Sequence, residues 1–279
     1  MMLNLPATMK AKLPPSYLDI AEDVEFGEFV TINVTEKLRI GAGSKIRDYS
    51  RIEGRDISIG KNFFMNYHAE IGGGSCFTKE SKLEIGNNCH IGSYSIINTA
   101  RKVKIGDEVG MGRFTNIYTH EAYLNPLEGF PCSFGEITIG NKVWIPSATI
   151  LPNTEIGNNV VISLGAKIQG TVPSGSHVTR SGKLITNQYP KNFTKEEYRQ
   201  LLNDLMRDYK GDFKLEGEDE IKIIAFHNTT PKIHKTEFDL TNQTIKGKGT
   251  ANSEKLRNYL RRHGIRFFSE LTKDGDHYE

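Results

Sequence analysis

The side chain best placed for chemistry is His120, which ends the run Asn116 to His120 (NIYTH) and precedes a stretch, Glu121 to Glu136, that breaks the aliphatic spacing on either side. Histidine has the ordinary pKa nearest neutrality, so at such a position it can take a proton from a hydroxyl or an amine. The plainer alternative is a histidine that caps a loop. His68 and His90 occupy repeat positions, and no His-x4-His pair lies near His120, so a three-histidine zinc centre is not indicated. Cys76, Cys89 and Cys132 are odd in number and lack C-x-x-C spacing. They read as reduced structural thiols, with neither a disulfide framework nor a metal site expected.

The elements that must hold His120 follow from an internal repeat. An aliphatic-Gly pair followed five residues later by another aliphatic recurs as LRIGAGSKI (38–46), ISIGKNFFM (57–65), LEIGNNCHI (83–91), VKIGDEVGM (103–111), ITIGNKVWI (137–145) and TEIGNNVVI (154–162). Steps of six continue from Ile91 to Ile97, Met111 to Ile117 and Ile162 to Ile168. Period six with short flat strands builds a triangular prism, with aliphatics stacked from coil to coil and the ends needing caps. Glycine after the aliphatic is expected to allow the corner without a Cβ clash. The Ile-Gly markers at 40, 59, 85, 105, 139 and 156 are separated by 19, 26, 20, 34 and 17 residues, so the long intervals mark insertions near 72–82 and at 121–136. Loops that interrupt a rigid scaffold are where function tends to sit, and the second begins directly after His120.

The stretch Asn116 to Asn159, with the Thr119-His120 step, a Pro-containing loop, ITIGNKVWI and a further Ile-Gly-Asn-Asn coil, resembles the hexapeptide-repeat acyltransferases. Within that superfamily it is most similar to the galactoside, maltose and polysaccharide O-acetyltransferases, over about residues 57 to 173. The resemblance implies a left-handed parallel β-helix assembled as a trimer, with active sites between subunits. It further implies acetyl-CoA as donor, a sugar or polysaccharide hydroxyl as acceptor, and direct transfer with His120 as general base. It places Asn66 and His68 at the acceptor and Trp144 against donor or acceptor. A backbone N–H near Ser147 would hold the oxyanion, and Gly165 and Ala166 would keep the donor groove small. The family's lysine falls at Gly170 here, so Arg180 or Lys183 is the expected contact to the CoA phosphates. Ile145 to Ile156 is also one residue shorter than the family's spacing. N-acetylation of an amino sugar, acetylation of an antibiotic hydroxyl and a non-catalytic scaffold are the competing readings.

A formal net charge of +2 and a hydrophobic fraction of 37% call for neither nucleic acid nor an anionic membrane as partner. No apolar run approaches the roughly 20 residues of a membrane span, and 1–12 lacks a signal-peptide core, so a cytoplasmic protein is expected. Beyond Pro173 the hexads stop. The expected organisation is a cap at 1–37, the β-helix at 38–189 and a small α/β domain at 190–279. That last domain should hold helices at 194–209 and 253–263, a strand at 220–226 and a closing strand in Ile265 to Phe268.

Overall fold

The computed structural model describes residues 7–14, 17–211, 213–216, 222–229, 232–247 and 249–268. The chain divides into two compact units, Met1–Lys191 and Asn192–Glu279. The first is a parallel β-solenoid. Its first face stacks Ile32, Ile52, Ile71, Ile97, Ile117, Ile150 and Ile168 in register. Its second stacks Ile20, Ile40, Ile59, Ile85, Ile105, Ile139, Ile156 and Val172. Its third runs from Phe26 through Ile46, Met65, Ile91 and Met111 to Ile145. All but Phe26 in these rows are buried in one continuous core, with Phe26 packed against it. The third face holds nine strands, of which only the last, Leu184–Ile185, pairs antiparallel, leaving eight coils.

The expected cap at 1–37 instead supplies rungs. Strands Lys10–Lys12, Tyr17–Ile20, Glu25–Phe26 and Thr31–Ile40 all join the parallel ladders. Ala21 stands here where later coils have the marker glycine, which hid this coil in the sequence.

The marker glycines serve close packing, not a left-handed turn. A Cβ at Gly106 would meet Asn141 Oδ1 at 2.2 Å and the Gly140 carbonyl carbon at 2.8 Å. The left-handed residues lie two places later, at Asn62, Asn88, Glu108, Lys142 and Asn159. Corner N–H groups, unable to join a ladder, are satisfied by side chains of the next coil. Lys61 donates to Asn87 Oδ1 at 2.8 Å, Asp107 to Asn141 Oδ1 at 2.8 Å and Asn141 to Asn158 Oδ1 at 2.7 Å.

The second unit contains an antiparallel sheet of Phe213–Glu216, Lys222–Thr229, Lys232–Asp239 and Thr244–Lys246, with helices α1 (Lys195–Met206) and α2 (Ala251–Arg262). Both helices start with capping boxes, Thr194 with Glu197 and Thr250 with Ser253. Leu202, Met206, Ile223, Phe238, Ile245, Leu256, Leu260 and Phe267 are buried in a core of its own. Glu220 and Ile221, the start of the expected strand, lie outside the described residues. Ile265 to Phe268 is not a strand; Phe267 is an anchor inserted into the core, edge-on to Phe238. Among the described residues no helix is long and apolar enough to cross a membrane.

Candidate active site

His120 opens the strand His120–Ala122, which pairs antiparallel with Cys132–Phe134 to form a hairpin from the second insertion. The hairpin leaves the corner between the first and second faces, just past Ile117. Register with Ile97 one coil below brings Asn98 beneath the corner. The Asn98 side chain is buried and fully engaged. Its Nδ2 donates to the carbonyls of Gly72 at 3.2 Å and Gly74 at 3.0 Å. Its Oδ1 accepts from Thr119 Oγ1 at 2.6 Å, from the Ala100 N–H at 3.3 Å, and faces His120 Nδ1 at 3.0 Å.

These partners fix a tautomer. With Nδ2 committed to two carbonyls, Oδ1 is the atom presented to the imidazole, and it can only accept. His120 Nδ1 therefore carries the hydrogen and Nε2 keeps its lone pair. Among the described residues Nε2 has no hydrogen-bond partner. The ring stacks on Phe134 at 5.5 Å and 14°. A Cβ at Gly74 would touch its Nε2 edge at 3.7 Å, so the Gly72–Gly74 backbone closes one side. Both insertions thus converge on this one histidine, the first clamped by Asn98 and the second carrying it. Arg101 completes the group: its N–H donates to Thr119 Oγ1 at 3.2 Å and its guanidinium lies 4.5 Å from the Phe134 centroid.

Other expected residues lie elsewhere on the prism. Trp144 is on the third face, half exposed, and paired with Gly110, where a Cβ would come within 2.8 Å of the indole. Ser147 is on the corner between the third and first faces. Ile145 reaches Ile150 in five steps where Met111 reaches Ile117 in six, so this corner lacks the left-handed residue that Phe114 supplies one coil below. The Ser147 carbonyl accepts from the Gly165 N–H at 2.7 Å, and Arg180 Nε lies 3.5 Å from where a Gly165 Cβ would stand. Lys183 closes the exposed turn after Arg180 through its N–H to Thr179 Oγ1 at 3.1 Å. On the same corner Ser163 Oγ and His177 Nε2 are 2.8 Å apart.

Three more of these residues are placed as follows. Ala166 is buried in the prism core beside Ala148, so its small side chain fills the interior. His68 is stacked between Tyr49 and Tyr94, each at 5.0 Å, in an outer ladder with Phe29 and Phe114 on the corner of the third and first faces. Asn66 lies on that corner too, its Oδ1 taken by the Tyr67 N–H at 2.9 Å. Neither meets His120 of the same chain.

No family model matches the chain. Over 102 residues it is 30% identical to "Putative acetyltransferase YvoF" of Bacillus subtilis (strain 168), covering 36% of this chain and 53% of that protein. The match thus spans about half the length of that relative. Over 154 residues it is 23% identical to "Putative lipopolysaccharide biosynthesis O-acetyl transferase WbbJ" of Escherichia coli (strain K12), covering 50% and 76%. Among solved structures, the polySia specific acetyltransferase NeuO aligns over 70% of this chain and 97% of its own, at 16% identity and a TM-score of 0.42. A maltose O-acetyltransferase from Clostridium difficile 630 aligns over 48% and 68%, at 22% identity and a TM-score of 0.30. The repeat, the solenoid it builds and the two relatives agree. The chain has the hexapeptide repeat and the parallel β-solenoid that it builds, and the two relatives it resembles carry acetyltransferase names.

From the sequence His120 stands out as a candidate, whereas Asn98, Arg101 and Phe134 do not. Asn98 follows an inward isoleucine as Tyr118 does one coil above, and only the folded corner brings it to Thr119, whose Oγ1 donates to its Oδ1 at 2.6 Å. Phe134 lies fourteen residues from His120 in a loop whose hairpin pairing has no alternating pattern to announce it.

Proposed function

We propose that this chain transfers an acetyl group from acetyl-CoA to a hydroxyl of a sugar or polysaccharide, with His120 as general base. The observation that carries the reading is the Asn98 contact, which leaves His120 Nε2 as an open acceptor at the mouth of a two-loop site. In the reaction, Nε2 takes the acceptor's O–H proton as that oxygen bonds to the thioester carbonyl carbon. The imidazolium keeps its Nδ1–H on Asn98. The carbonyl oxygen becomes negative, and a backbone N–H near Ser147 is the donor proposed for it. Collapse breaks the C–S bond, and the proton on Nε2 passes to the departing sulfur, leaving an acetyl ester and CoA. Direct transfer is the route proposed; the Cys76 thiol beneath the site is pushed up by burial, away from nucleophilic form.

His120 projects from one corner of the prism, while Trp144, Ser147, Gly165, Arg180 and Lys183 belong to the third face and the corner beyond it. A site that needs both sets is completed by packing copies of the prism side by side, and a homotrimer with shared sites is the assembly proposed. WbbJ, whose name carries O-acetyl transfer in lipopolysaccharide biosynthesis, supports a glycan acceptor. The test is the mass of candidate glycans incubated with enzyme and acetyl-CoA. A gain of one acetyl group, labile to mild base as an ester is, supports the proposal. A base-stable amide on amino sugars alone, or no gain on any acceptor, contradicts it.

A further inference from the structure

Arg101 has no role in the reaction as drawn, yet it is built into the site. Its N–H is tied to Thr119, and one guanidinium hydrogen goes from Nη1 to the Ala100 carbonyl at 2.8 Å. Among the described residues no carboxylate comes within ion-pair distance of it. The acid that senses its charge is Glu80, which is exposed and lies 3.8 Å from Lys79 instead. The remaining N–H donors of the fork are open.

The Phe134 ring gives this cation its meaning, because the guanidinium stands 4.5 Å and the His120 ring 5.5 Å from the same centroid. A guanidinium is weakly hydrated and rests on an aromatic face while its edge donors stay available, a geometry suited to bidentate capture of an oxyanion.

We infer that Arg101 holds an oxyanion of the acceptor, and that the glycan acetylated is an acidic one bearing a carboxylate or phosphate close to the reacting hydroxyl. This rests on the acetyl-transfer reading above. The test compares a uronic-acid oligosaccharide, its methyl ester and a phosphorylated sugar as acceptors for the parent, Arg101→Gln and Arg101→Lys, with melting temperatures to confirm folding. The parent should favour at least one acidic acceptor over the neutral ester by about tenfold or more in kcat/KM, and the better anion names the source. Arg101→Gln should erase that preference through the acceptor KM while the acetyl-CoA KM holds. Arg101→Lys should retain part of it, as charge without the fork. Equal parent rates on acid and ester overturn the inference and leave acetyl transfer standing. A rise confined to the acetyl-CoA KM overturns it too, and reassigns Arg101 to the donor phosphates. Transfer to none of the three, with none to any other glycan, overturns both readings.

Discussion

The Asn98 contact decides which nitrogen of His120 is bare, and the proposed base chemistry rests on it. The amide accepts from Nδ1, Thr119 and Ala100 while donating to Gly72 and Gly74, so few other side chains could replace it. Asn98→Ala should lower kcat by roughly 10²-fold, because the imidazole loses its orientation and tautomer, while acetyl-CoA affinity stays unchanged in equilibrium titration. Asn98→Asp keeps an acceptor for Nδ1 and loses the loop clamp, so it should fall between parent and alanine. An alanine variant within twofold of the parent would show that His120 is held by something else. The histidine was legible because it ends a hexad before an insertion. Its partner was not, because Asn98 becomes a neighbour only through a register that pairs Ile97 with Ile117.

At the scale of elements, coil spacing could be read and outward faces could not. Periodicity fixes which side chains enter the prism, so Ile97, Ile117 and Ile168 follow from the pattern, but outward rows depend on what stacks on what. Trp144 lies over Gly110 because that glycine leaves room for the ring. Gly110→Val should displace the indole, and with a single tryptophan in the chain its emission reports that movement alone. A red-shifted emission with a several-fold higher acetyl-CoA KM and an unchanged acceptor KM is expected if Trp144 serves the donor. An emission shift with neither KM altered would remove Trp144 from the site. The shortened corner at Ser147 was visible as a missing residue; that it ends the ladder of Phe29, Tyr49, His68, Tyr94 and Phe114 was not.

For the whole molecule, the solenoid was legible because every coil repeats one rule, whereas the second unit has no repeat and its strands Phe213–Glu216, Lys232–Asp239 and Thr244–Lys246 escaped notice. The separation of the proposed base and the proposed donor residues onto different corners makes assembly a functional matter for that proposal. Sedimentation should give a trimer, and mixing His120→Ala with Trp144→Ala chains before refolding should recover activity that neither variant shows alone. A fully active monomer would contradict the shared site. The central claim, that His120 takes the acceptor proton, is tested most directly by kcat of His120→Ala on the best acceptor with acetyl-CoA binding measured in parallel. A fall of about 10²- to 10⁴-fold with CoA affinity intact is the expected result. A variant that binds CoA normally and acetylates within a few-fold of the parent would contradict it.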